Sequence, residues 1–308
     1  MENKILLKLD ISNAFNSINR RVILDNVAIF LPDALPMTTW CLNGPSTVWW
    51  KSKSISCTTG VQQGNPLSPL LFDLGLVQVV EAVSTLNQIL HLWWHDDGLL
   101  YGEPEKVGTT FALIKQKLSE CGLQLNTSKC EIYSLNQITV PPTLSGIPVI
   151  YDRTLWTYLG APLVYETVSV FETTGKKSEL LLKAIGAISD SLPLHALNLL
   201  RSCAGACRFE HLCQSSQFTL PLKESTAECS KGLRKTLEKI VGNPIDAKAW
   251  DQARIPMKLG GLGIRDPSLL YSSSRWAAVE AAQKLSLELG AIPSFVDKAI
   301  VKAKGLFV

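Results

Sequence analysis

The 308 residues contain no uninterrupted apolar run of about 18, the length a bilayer crossing requires, so no membrane span is expected. The apolar stretch Leu67–Val80 is interrupted by Asp73 and Gln78 and has prolines at its start, Pro66 and Pro69, which suits a buried helix. Internal repeats and low-complexity segments are absent, which excludes solenoids and linker-like chains. The eight cysteines follow no small-framework spacing and no secretory leader is visible, so reduced thiols of an intracellular protein are expected. Cys203, Cys207 and His211 recur every fourth residue with Cys213 nearby, but no standard zinc spacing fits. Small thiols on the inner face of one helix are expected there, and no zinc.

Charge is also sparse: 19% of residues are charged and 46% are hydrophobic, the balance of a piece of a larger assembly or of a domain from a longer polypeptide. Its distribution is uneven. Residues 1–159 hold 11 Lys and Arg against 13 Asp and Glu, whereas residues 160–308 hold 19 against 14. An acidic first half and a basic second half fit a metal-binding site joined to a grip on a polyanion.

Ile5–Asp10 (ILLKLD) reads as a buried strand that delivers Asp10 at its end. Arg20–Phe30 has helical periodicity, broken by Pro32 and Pro36. Trp40–Trp50 and Ser54–Thr58 suggest a short helix followed by a hairpin. The loop Gly60–Pro69 (GVQQGNPLSP) feeds a helix from Leu70 to about Ser84, and a glycine-rich turn at a helix start favours anions, with Gln63 pointing an amide into the same cleft. His91–Tyr101 (HLWWHDDGLLY) reads as a hairpin whose Asp96-Asp97-Gly98 supplies the turn. Adjacent carboxylates repel each other, and a hard divalent cation such as Mg²⁺ relieves that repulsion.

An amphipathic helix follows over Glu105–Cys121, capped by Gly122, then Lys129 before a strand at Cys130–Tyr133, and a strand over Thr154–Gly160. From about Tyr165 helices take over: Glu166–Asp190, Leu194–Cys213, Pro221–Val241 and Ser268–Leu289, with the glycine-rich turn Ile255–Arg265 between the last two. Lys231, Arg234, Lys235 and Lys239 form either a solvated helix face or a contact with a phosphate backbone.

LDISNAF (9–15), GVQQGNPLSPLLF (60–72), WHDDG (94–98), GLQLNTSKCE (122–131) and YLG (158–160), in this order and spacing, resemble the five palm motifs of reverse transcriptases, those of non-LTR retrotransposons in particular. The resemblance implies an α+β chain: a ferredoxin-like polymerase palm over about residues 4–160 and a helical thumb or connection beyond it, with domains at 1–164 and 165–308. It implies RNA-directed DNA polymerase activity. Asp10, Asp96 and Asp97 would hold two Mg²⁺ ions, with Mn²⁺ able to substitute. Phe15 would lie under the sugar of the incoming nucleotide, with Ile11, Gln63 and Gly64 also contacting it. Lys129 would protonate the leaving pyrophosphate, and Tyr158, Leu159 and Gly160 would position the primer. An RNA template, a DNA primer and dNTPs are the implied partners, and nuclear residence is compatible with the sequence.

Two departures stand out. His95 fills a position where the family usually carries a small or aliphatic residue, and could either bond the neighbouring carboxylates or, protonated, compete with metal. Asp10 also lies close to Met1, leaving no room for the family's basic fingers region. A fragment with palm chemistry and a weak nucleotide grip is therefore expected. The alternatives are a non-catalytic nucleic-acid-binding remnant of a retroelement and, ranked last, another two-metal enzyme such as a nucleotide cyclase.

Overall fold

The computed structural model describes residues 4–86, 88–216 and 219–288. They divide into two compact units, one ending at Asp152 and the other beginning at Arg153.

In the first unit β1 (Ile5–Asp10) alternates buried and half-buried positions, with Ile5, Leu7 and Leu9 inward and Leu6, Lys8 and Asp10 on the other face. A single turn of helix, α1 (Ala14–Ser17), and the helix α2 (Arg20–Phe30) follow, then α3 (Leu35–Leu42) and the hairpin β2 (Ser46–Trp50) and β3 (Lys53–Cys57). After α4 (Ser68–Leu86) come the central hairpin β4 (Leu90–Trp94) and β5 (Asp97–Gly102), α5 (Pro104–Glu120), β6 (Glu131–Tyr133) and β7 (Val149–Ile150).

The five-stranded sheet has the order β4-β5-β1-β6-β7, antiparallel except for the β6–β7 pair. Its first four strands have the ferredoxin-like arrangement, with β5 inserted between β1 and β4. One face is closed by α4 and α5: Phe72, Leu76 and Val79 of the former and Phe111, Ile114 and Leu118 of the latter share a core with Ile5, Leu7 and Leu9. α4 is long and apolar enough to cross a membrane by length and composition, and its Leu71, Phe72, Leu76, Val79 and Val83 are buried in that core.

The second unit begins with the two-residue strands β8 (Thr157–Tyr158) and β9 (Ala161–Pro162). It continues as helices α6 (Ser169–Ile188), α7 (Pro193–Leu199), α8 (Glu210–Ser215), α9 (Leu220–Val241), α10 (Ala247–Arg254) and α11 (Tyr271–Glu288). Phe171, Leu182, Phe209, Leu222, Leu233 and Trp250 belong to its core.

Several local expectations are corrected. The central hairpin turns at His95 and Asp96, because Trp94 already pairs with Asp97. His95 takes the left-handed backbone (φ 53°), a position where a two-residue hairpin usually has glycine. Gly98 sits inside β5, where a Cβ would meet the Trp93 ring at 2.8 Å, so it makes room for an indole and supplies no turn. The helix expected over Leu194–Cys213 is interrupted: a π turn at Leu200–Ala204 and a 3-10 turn at Ala206–Arg208 flank Gly205. A Cβ there would lie 2.2 Å from the Arg265 carbonyl oxygen, which accepts the Ala206 N–H at 2.9 Å. Cys203, Cys207 and His211 therefore do not share one helix face. Of the strand expected over Thr154–Gly160 only Thr157–Tyr158 forms, and Leu289, the expected end of the last helix, lies outside the described residues. The first unit ends earlier than the expected boundary at 164, so the 154–160 segment belongs to the second.

Candidate active site

The antiparallel register sets Asp10 opposite Asp97, and Asp96 adjoins them in the hairpin turn. Burial pushes the Asp97 carboxyl above the usual range, and the charges of Asp96 and Asp10 push the same way against the opposing pull of Lys8. Lys8 itself is bonded to Glu131 at 3.0 Å. Three acids thus lie at neighbouring positions where the end of β1 meets the hairpin turn.

A cavity of about 280 Å³ opens beside them, lined by Asp10, Ile11, Phe15, Gln63, Asp96 and Lys129 among others. Backbone contacts explain why residues so distant in sequence meet. Ser12 donates to the Gln124 carbonyl at 2.8 Å, and Asn126 to the Asp10 carbonyl at 2.8 Å. These bonds stitch the LNTSK loop to the end of β1 and carry Lys129 to the cavity. The GVQQG loop is docked likewise: Gly60 donates to the Ile18 carbonyl at 2.8 Å and Val61 to the Phe15 carbonyl at 2.7 Å.

Phe15 stacks on Phe72 with ring centroids 4.5 Å apart and planes 13° from parallel, and His95 meets it edge-on at 6.1 Å. A ring held on two sides keeps one orientation over the cavity. Gly64, in left-handed backbone with open space around it, is not among the lining residues.

The structure also brings in Asp73 and Arg20, to which sequence reasoning gave no part in the site, and gives His95 a partner other than its neighbouring carboxylates. The His95 Nδ1 lies 2.8 Å from the Asp73 Oδ1 on α4, so the ring turns to Asp73 and ties the aspartate turn to that helix. Neither residue is deeply buried, so the pair is worth under about 1 kcal/mol of stability. Its effect lies in placement. If extension of a primer is the site's activity, His95→Ala and Asp73→Ala are each expected to slow it several-fold with little change in melting temperature. The double variant should lose no more than either single one; additive losses would contradict the coupling. Arg20, buried, donates from Nε to the Gly60 carbonyl at 2.8 Å, from Nη1 to the Gly44 carbonyl at 2.6 Å and from Nη2 to the Ser46 hydroxyl at 3.3 Å. No short sequence motif marks either arrangement.

The remaining expected site residues fall in the second unit. Tyr158, Leu159 and Gly160 belong to the second unit, where Leu159 and Gly160 turn the β8–β9 hairpin with φ 50° and 74°. The Leu159 carbonyl bonds His211 Nε2 at 2.8 Å. On α9, Lys231 pairs with Glu228 at 2.6 Å, Arg234 with Glu238 at 3.4 Å and Lys239 with Asp190 at 3.9 Å. Among the described residues, Lys235 alone of the four cations makes no ion pair.

Among the described residues no three His, Cys, Asp or Glu side chains form a ready-made metal cage. The donor set still suits Mg²⁺. Its members are carboxylate oxygens, and Mg²⁺ is ordinarily held by one or two carboxylates plus substrate phosphates and water.

The family model for reverse transcriptase (RNA-dependent DNA polymerase) matches residues 1–163. The chain belongs to the reverse transcriptase family. A curated relative, the retrotransposable element SLACS 132 kDa protein of Trypanosoma brucei gambiense, is 25% identical over 285 residues, covering 84% of this chain and 22% of that protein. Among solved structures, apo telomerase from Candida tropicalis aligns with 98% of this chain and 53% of its own at 11% identity and a TM-score of 0.45. Telomerase from Candida albicans in complex with a fragment of telomeric RNA aligns with 99% and 51% at 11% identity and a TM-score of 0.36.

Proposed function

We propose that the first unit is a polymerase palm and that the cavity at the end of β1 is a nucleotidyl-transfer site, extending a DNA primer on an RNA template. The observation that carries this reading is the cross-strand pairing of Asp10 with Asp97, with Asp96 adjoining, beside a cavity that also holds Phe15, Gln63 and Lys129. In the reaction the primer 3′-hydroxyl attacks the α-phosphorus of a dNTP, an O–P bond forms, and the bond to pyrophosphate breaks. Asp10, Asp96 and Asp97 would hold two Mg²⁺ ions, or Mn²⁺ in their place; when bound, the ions lower the charge cost at the attacking and leaving oxygens.

The chain's own residues do the remainder. Lys129 donates a proton to the departing pyrophosphate oxygen. Gln63 offers an amide to the nucleotide and Ile11 borders it, while a contact by Gly64 rests on the resemblance of the motif alone. Phe15, fixed between Phe72 and His95, closes the space a 2′-hydroxyl would need. Primer contacts by Tyr158, Leu159 and Gly160, and backbone contacts by Lys231, Arg234, Lys235 and Lys239, rest on the resemblance of the motifs and on charge; of that basic group Lys235 has the least competition from neighbouring acids.

The test is extension of a DNA primer on an RNA template with Mg²⁺ and dNTPs, with loss expected in Asp96→Asn and Asp97→Asn. Phe15→Val should raise ribonucleotide use relative to deoxynucleotide use by about tenfold or more; unchanged discrimination in single-nucleotide extension would remove Phe15 from that role. A second reading, a non-catalytic nucleic-acid-binding remnant, would use the basic second half, where residues 160–308 hold 19 Lys and Arg against 14 Asp and Glu. Salt-sensitive binding to primer–template without turnover would select it.

A further inference from the structure

The β2–β3 hairpin is an unusual object for a soluble surface. Every residue from Thr47 to Ser56 is exposed, including Val48, Trp49, Trp50 and Ile55, and the two indoles are 71% and 68% accessible. An isolated two-stranded ribbon is marginally stable in water, so something must hold its base. Arg20 does so, bonding Gly44 and Ser46 on the entering side and Gly60 beyond the returning strand.

The register sorts the side chains. Val48 faces Ile55 and Trp50 faces Lys53, so these four share one face; Trp49 lies on the other opposite Ser54. Lys51 occupies the turn in left-handed backbone with φ 55°. Charge is one-sided. Between Asp33 and Asp73 the sequence has no acidic residue, and its only cations are Lys51 and Lys53, both at the hairpin tip. The residues around this stretch are net acidic, so the tip is a local exception.

We propose that this hairpin is a stacking arm for an unpaired nucleic-acid strand, with Trp50 on a base and Lys51 and Lys53 on phosphates. The proposal rests on the polymerase reading only in naming that strand as the template. Exposed indoles beside ammonium groups match the two surfaces of a single strand, its base faces and its phosphates. A duplex hides its base faces. A second copy docked through the same hairpin would set lysines against lysines, with no acid in the stretch to receive them.

The test is fluorescence anisotropy of a labelled oligouridylate with the full chain, beside Trp50→Ala, Lys53→Ala and, as a control outside the hairpin, Trp40→Ala. Unaltered circular dichroism melting establishes that the exposed substitutions leave the fold intact. Trp50→Ala should weaken binding about tenfold, Lys53→Ala should reduce the salt slope by roughly one ion, and Trp40→Ala should do neither. Unchanged affinity in Trp50→Ala overturns the proposal. So does a wild-type chain that binds no single strand, or a hairpin-dependent dimer whose disruption leaves oligouridylate binding intact. Failure of the polymerase reading is distinguishable: a chain that binds through the hairpin yet extends no primer keeps the arm, whereas one that extends primers indifferently to Trp50→Ala loses only the arm.

Discussion

Asp97→Asn should raise the melting temperature of the metal-free protein while sharply reducing primer extension. The sign follows from the direction of the Asp97 shift. Its carboxyl is pushed above the ordinary range by burial and by Asp96 and Asp10. A group whose folded pKa exceeds its unfolded one contributes stability below the unfolded pKa and loses that contribution as pH rises through the folded pKa. At neutral pH ionised Asp97 is therefore a liability to the metal-free fold, and an amide of the same shape removes it. The same substitution removes a metal-binding charge, and a loss of roughly 10³-fold in extension, about 4 kcal/mol of transition-state stabilisation, is the expected scale. Calorimetry without metal, paired with extension assays, checks both halves; an Asn variant that melts lower would show that Asp97 serves the fold first.

Gly60→Ala should be the most damaging small substitution in the first unit. Gly60 has φ 70°, and a Cβ there would lie 2.3 Å from the Asn16 carbonyl carbon and 2.4 Å from its oxygen. These are backbone atoms that cannot swing aside. Left-handed strain and overlap together cost about 3 kcal/mol or more, which is a fall of roughly 6–12 °C in the melting of a unit this size. The loop would lift off the turn that carries Phe15, so nucleotide discrimination should degrade with stability. Gly64→Ala is the informative contrast: its φ is 92°, but nothing lies within 4 Å of the added carbon. Only conformational strain applies there. Equal melting of both variants would show that the contact with Asn16 carries no weight.

Much of this architecture is legible in the residues. The alternation of Ile5–Asp10 announces a strand buried on one face, and the spacing of Val107, Phe111, Ile114 and Leu118 a helix against it. The order of the acidic, glycine-rich and LNTSK segments names the residues that meet at the cavity. What escaped reading depends on partners far away in sequence. Gly205 breaks a helix because Arg265, sixty residues on, crosses it at the backbone. Asp-Asp-Gly looks like a turn by composition, yet Trp93 needs the space at Gly98 and the turn moves to His95. Asp73 is one polar residue in an apolar helix until the hairpin sets His95 beside it. Arg20 reads as one more helix residue until three oxygens from two loops surround its guanidinium.

The central claim, that Asp10, Asp96 and Asp97 gather divalent ions with the help of the nucleotide, is tested most directly by titrating Mn²⁺ into the chain and following the free-ion signal by electron paramagnetic resonance. With primer–template and dNTP present, the wild type should deplete that signal beyond what the nucleotide and nucleic acid take up alone, and Asp97→Asn should not add to their uptake. Superimposable titrations of the two would contradict the claim.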